Sequence, residues 1–319
     1  MEPSSRPDLL GTGRATGHPG AVIVPLDGSA GARAALPLAT YLSTTFRAPL
    51  HRVSVSLQTG TTPGRGQEAH ADALTLLQGG AAKAPAAPPR ATWTATGGPP
   101  PPPTRTDPVG VVSADGDVEV VLPGDSVATA LLDYVARHPD GLVCMATRAR
   151  GGLHRRLVGN VVEELLAQAS CPVIAVGPRV EIADTAERPE TILLAAASEP
   201  PRATVPLLAT WARVLGAQIV VAQVPSSGRT GSGGGAWEDR QAADRMVSWF
   251  ARHRAPAMAQ RLHSGPVTTA LLDLAEKIGG PMLIAAPVAP HSGPPINDLT
   301  HELLQRSRWP IVASVGNGR

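Results

Sequence analysis

The residues best placed for chemistry in this 319-residue chain lie between Met145 and Val176. Arg148, Arg150, Arg155 and Arg156 share a loop with Gly151, Gly152 and Gly159, and the loop ends at Asn160. The apolar run Gly141–Ala146 ahead of it predicts a strand. Behind it, Val161, Val162, Leu165, Leu166 and Ala169 form one apolar stripe at helical spacing. Asn160 with Glu163 three residues on is a capping-box pattern, in which each side chain satisfies an otherwise unpaired backbone N–H. Cys171-Pro172 stops the helix, because proline cannot continue it and disfavours helical geometry in the residue before. Val173–Val176 then predicts the next strand. A strand, a glycine-bearing loop and a helix N-terminus in that order can hold an anion: the first-turn N–H groups point outward unpaired, and arginines add charge-assisted hydrogen bonds to phosphate. The same residues also fit an ordinary helix–strand unit with a solvated basic loop.

The elements that must position this segment alternate along the chain. Residues 1–20 are polar and rich in Gly, Pro and Ser, and read as a disordered tail. Ala21–Asp27 reads as a buried strand, Ala30–Phe46 as a helix that Pro37 kinks, and Leu50–Val55 as a second strand. A weakly amphipathic helix is expected around Gln67–Gln78. Residues 84–108 contain the proline run Pro99–Pro103 and read as a surface insertion in polyproline conformation or disorder. Val118–Leu122 predicts a third strand. Gly124-Asp125-Ser126 opens a helix carrying Val127, Ala130, Leu131, Tyr134 and Val135 on one face. The alternation of strand and helix means parallel strands joined by helical crossovers.

The pattern then repeats. After a polar linker at 178–190, Val267–Asp273 matches Val127–Asp133 at six of seven positions. Leu207–Trp211 echoes Pro37–Tyr41, Met282–Ala286 echoes the strand before the arginine loop, and Trp309-Pro310-Ile311-Val312 echoes Cys171–Ile174. This is a tandem duplication, with a first domain at 21–177 and a second at 191–316.

Composition narrows the function classes. A hydrophobic share of 43% suits a globular chain, and aromatics at 3% make its cores aliphatic. A net charge of +2, with no clustering of basic and aromatic residues, argues against a nucleic-acid partner. No apolar run reaches membrane-spanning length and no signal peptide is visible, so a cytoplasmic protein without a membrane partner is expected. Cys144 and Cys171 read as two buried thiols rather than a disulfide or metal pair.

The segment Met145–Val176 resembles the C-terminal signature of the universal stress protein family, Gly-x2-Gly-x9-Gly-(Ser/Thr). The last pair falls on Gly159-Asn160, and Gly151-Gly152-Leu153, Leu157-Val158 and Cys171-Pro172-Val173-Ile174 follow the family. The first two glycines fall on Ala146 and Ala149, a departure. The resemblance implies an α/β fold: two tandem flavodoxin-like (Rossmann-like) domains, each a five-stranded parallel sheet in the order 3-2-1-4-5 with helices on both faces. It implies ATP or a related adenine nucleotide, with magnesium, as ligand of the first domain. Asp27, in its Pro25-Leu26-Asp27 setting, would contact the adenine or ribose side, and Val55 the adenine side. Met145, Ala146, Ala149, Gly159, Asn160 and Val161 would line the phosphate loop. The function implied is stress-linked regulation, in which occupancy alters the interaction with a protein partner. The two alanines keep open an alternative, a nucleotide-free interaction scaffold.

The second domain reads as degenerate. The position matching Asp27 is Ala197, the loop after its fourth strand is full of prolines without N–H groups, and Asn297-Asp298 stands where the first domain has Gly159-Asn160. It is expected to pair with the first domain as a pseudo-dimer through Val173–Val176 and Ile311–Val315; a further homodimer is an open alternative. Gly231–Gly235 is not a P-loop, because no Lys-Ser/Thr follows. The nine histidines show no metal-ligand spacing, and no nucleophile–base pair appears. No catalytic residue is expected, and any ATP hydrolysis would be slow.

Overall fold

The computed structural model describes residues 17–57, 109–113, 116–147, 160–196, 204–223, 235–262, 266–288 and 298–315. The helix expected at Gln67–Gln78 and the proline-rich stretch 84–108 lie outside the described residues. The first half supplies strands β1 (Val22–Pro25), β2 (Leu50–Leu57), β3 (Val109–Val112), β4 (Val118–Gly124), β5 (Leu142–Ala146) and β6 (Val173–Val176). Its helices are α1 (Leu36–Phe46), α2 (Val127–Ala136) and α3 (Asn160–Gln168), and a short α4 (Ile182–Thr185) lies within the linker. The second half supplies β7 (Thr191–Ala196), α5 (Thr204–Leu215), β8 (Gln218–Gln223), α6 (Gly235–Arg252), β9 (Ala257–Arg261), α7 (Val267–Ile278), β10 (Met282–Val288), α8 (Asp298–Arg306) and β11 (Ile311–Val315).

All strands join one eleven-stranded sheet in the order β3-β4-β2-β1-β5-β6-β11-β10-β7-β8-β9. Read inward from the edges, and leaving out the outermost strand β3, each half has the expected 3-2-1-4-5 order of parallel strands. The halves meet where β6 and β11 pair antiparallel, with Ile311 opposite Ala175, Val312 opposite Ile174 and Ala313 opposite Val173. The strand-edge pairing expected within the chain is therefore the seam of the molecule.

Strands buried on both faces read as continuous apolar runs, and β1 shows why. Val22 and Val24 point into one core and Ile23 into the other, all three fully buried. One core lies under α2, α3, α7 and α8, and holds Leu131, Leu165, Leu271 and Leu303. The opposite core lies under α1, α5 and α6, and holds Leu38, Leu42, Leu208 and Trp211. Each core contains residues of both halves, so the seam is packed above and below. The repeated heptapeptide opens α2 in the first half and α7 in the second, with Leu131 and Leu271 buried on the same side of the sheet.

Several expectations need correction. Pro37 does not kink α1. It sits in the helix's first turn, where a missing N–H costs nothing, and a 3-10 turn at Ala32–Ala35 precedes it. The strand β3 was not foreseen. It forms an antiparallel hairpin with β4, turned by Ser113 N–H to Asp117 O (2.8 Å) and Gly116 at φ +83°. The linker contains α4 and buries Val180 and Thr185. Gly17–Gly20, the last part of the expected tail, is packed against the body of the protein: Gly17 and Pro19 are buried, and Gly20 N–H donates to Asp140 O at 2.8 Å.

Candidate functional site

In a doubly wound sheet, ligands bind beyond the carboxyl ends of the strands where the strand order reverses. In the first half that point lies between β1 and β5, because the chain leaves β1 for β2 on one side and reaches β5 on the other. The strands β1, β2 and β5 pass from buried to half-exposed as they reach this edge. Val24 and Val53 are buried, whereas Pro25, Val55 and Ala146 are half-exposed. Small apolar groups thus form the floor of the edge.

Asp27 stands exposed two residues beyond β1. Its position is built locally. Leu26 N–H donates to Val53 O at 2.7 Å, which extends the pairing with β2 by one residue. Gly28 then takes φ +78°, a left-handed conformation that side chains with a Cβ rarely adopt, and turns the chain upward. Ser29 N–H donates to Asp27 Oδ1 at 2.9 Å, and Ala32 N–H donates to Ser29 Oγ at 3.1 Å. This turn opens the 3-10 helix and holds the carboxylate at the strand edge.

The expected lining residues divide by structure. Ala146 ends β5 at the edge, beside Val176 of β6. Met145 contributes no side chain to the edge, since it is 5% exposed and belongs to the core beneath α2 and α3. Only its backbone can face a ligand. Asn160 is the first residue of α3, with Val161 next and Glu163 in the first turn. Ala149, Gly159 and the four arginines lie outside the described residues. Two further polar groups stand at this edge. Ser29 caps the turn after Asp27. Thr147, 2% exposed, follows Ala146 and donates its N–H to Val176 O at 2.9 Å. A small hydroxyl residue immediately after an apolar strand was the available signal for Thr147, which sequence reasoning missed.

The second half differs at the matching edge. Its fourth strand, β10, runs two residues past Ala286, with Pro287 opposite Ser314 and Val288 opposite Val315. Val143 lies opposite Val173 and Ile284 opposite the equivalent Ile311, so Pro287 occupies the place of Ala146 and Val288 that of Thr147. Pro287 has no N–H to give, and pairing continues where the first half opens into its loop. Asp298 opens α8 where Asn160 opens α3. Ala197 and residues 289–297 lie outside the described residues. Among the described residues, no group of three or more His, Cys, Asp or Glu could hold a metal ion. No described helix is long and apolar enough to cross a membrane.

The family model of the universal stress proteins matches residues 20–177, which span the whole of this edge. This first half belongs to the universal stress protein family. Solved structures carry the fold across both halves. The chain resembles a universal stress protein from Archaeoglobus fulgidus DSM 4304, with TM-score 0.62 and 15% identity over 93% of this chain and 99% of that one. It also resembles a functionally unknown protein from Pseudomonas aeruginosa PAO1, with TM-score 0.56 and 12% identity over 95% and 94%. At these identities the likeness concerns fold alone. No curated protein matches the chain.

Proposed function

We propose that the universal stress protein half binds ATP or a related adenine nucleotide, with magnesium, and that occupancy alters the protein's interaction with a protein partner in the cytoplasm. The observation that supports this reading is the placement of Asp27, Val55 and Ala146 at one strand edge astride the switch point. Asp27 would accept hydrogen bonds from the ribose or adenine, Val55 would pack on the base, and the backbone from Ala146 to Val161 would face the phosphates. The groups needed to move a proton or attack phosphorus are not part of this reading, so it assigns no catalytic residue.

The second half (191–316) is a degenerate member of the same family in this proposal. It is joined through the linker 178–190 and serves as the structural partner of a built-in pseudo-dimer. Pro287, which puts a residue without an N–H in the place of Ala146, favours that assignment. A nucleotide-free scaffold is the second reading, favoured by Ala146 and Ala149 in place of the family's glycines. A methyl group crowds a phosphate approaching the backbone, and costs roughly 1–2 kcal/mol wherever the backbone is left-handed.

Thermal unfolding with and without ATP and magnesium separates the two. A ligand at about 100 times its Kd stabilises by about 2.7 kcal/mol, so a clear rise in Tm is expected for the wild type and its loss for Asp27→Ala. An unchanged wild-type Tm at millimolar nucleotide would turn the account toward the scaffold.

A further inference from the structure

Gly17–Gly20 touches both halves of the molecule. On the second half, the Trp211 indole N–H donates to Gly17 O at 2.9 Å, a buried bond between residues 194 positions apart. Gly17 holds φ +73°, and a Cβ placed there would lie 2.7 Å from Thr210 Cβ. Only glycine fits both the conformation and the gap. On the first half, Gly20 N–H donates to Asp140 O at 2.8 Å, and the His18 ring stands edge-on to Phe46 at 6.1 Å between centroids. Beneath the segment, Phe46 at the end of α1 meets Trp211 of α5, with centroids 5.8 Å apart. The echo of Pro37–Tyr41 in Leu207–Trp211 makes α1 and α5 equivalent helices of the repeat. The segment therefore crosses the line where the two repeats meet on one face of the sheet.

We infer that Gly17–Gly20 is a clasp that fastens the α1–α5 seam, and that its release lets the two halves part on this face. The sheet seam at β6–β11 cannot do this work, because its hydrogen bonds lie in the plane of the sheet and leave the helices above to be held by packing alone. The clasp supplies directional bonds to each half. Indole donation to Gly17 O also fixes the ring of Trp211 where it contacts Phe46.

Hydrogen exchange on the full-length protein tests this. Trp211→Phe keeps an aromatic ring in the core and removes the N–H donor, while Gly17→Ala removes the fit against Thr210. Both are expected to speed amide exchange in the last turns of α1 and α5 by about tenfold, the effect of losing about one buried hydrogen bond from a local opening. Exchange in β1 and β8 should stay unchanged. A chain shortened to begin at Gly17 should keep wild-type protection at the seam, and one begun at Ala21 should lose it. Unchanged exchange in both substituted proteins would overturn the inference. So would equal acceleration across the whole chain, which marks general destabilisation.

Discussion

Ile174 and Val312 lie opposite each other in antiparallel register at the middle of the eleven-stranded sheet, both fully buried. All other strand pairs, apart from the β3–β4 hairpin, are parallel. One pair of edges thus turns two half-sheets into a single body and removes the exposed edge that each would otherwise present. Because Ile174 also belongs to a core shared with Leu194, Leu208 and Trp211, the seam and the second half should fail together. Ile174→Ala is expected to cost about 2–5 kcal/mol. Denaturation followed by tryptophan fluorescence and by circular dichroism should shift by the same amount. A shift in one signal alone would contradict a shared core.

Much of this architecture was legible in the sequence. The near-identity of Val127–Asp133 and Val267–Asp273 marked equivalent helices, and the closing runs Val173–Val176 and Ile311–Val315 marked the strands that join. What escaped depended on distant partners. β3 is a four-residue Val-Gly-Val-Val run with no pattern of its own, and it becomes a strand only because β4 offers an edge. Gly17 looked like part of a polar tail, since nothing nearby announces an indole donor 194 residues away. At the site, Asp27 and Asn160 could be placed from strand and capping signals. The burial of the Met145 side chain was not legible, because alternation along a strand decides which side chains face the core, and a fully apolar strand hides that alternation.

Acid should weaken the outer end of the first half. The Tyr134 hydroxyl and His51 Nδ1 share a hydrogen bond of 2.8 Å, and His138 Nδ1 donates to Tyr134 O at 2.9 Å. Burial pushes the pKa of His51 below its usual 6.5, the nearby His138 lowers it further, and Asp117 opposes both. As pH falls below about 6.5, the unfolded chain therefore takes up this proton before the folded one does. Stability should decline from there until the pH passes the lower folded value. His51→Asn, whose Oδ1 can replace Nδ1 as the partner of Tyr134, should flatten Tm between pH 7 and 5. An equally steep profile in the variant would remove His51 as the cause.

Two helix ends carry strain that can be relieved. Arg47 at the end of α1 and Arg254 after α6 take φ +55° and +57°, and both are exposed. A left-handed residue with a Cβ costs roughly 1–2 kcal/mol, and glycine at these positions regains part of it. Arg47→Gly should raise stability by about 0.5–1 kcal/mol in urea denaturation. A loss of stability would mean that the guanidinium makes a larger contribution than its exposure suggests.

The thiols should be inert in the native protein. Burial pushes the pKa of both Cys144 and Cys171 up to about 12, and the thiolate is the reactive form. A disulfide reagent at pH 8 is expected to label neither until denaturant is added, and then both. Fast labelling of native protein would show that one of the strands they anchor opens readily.

The central claim is one nucleotide site per chain, in the first half only. Calorimetric titration of the full-length protein with ATP and magnesium measures it directly. The account predicts saturable binding at a stoichiometry of one, abolished by Asp27→Ala and untouched by substitutions at Asp298. A stoichiometry of two would contradict the assignment of the second half as structural, and no heat of binding would contradict the site itself.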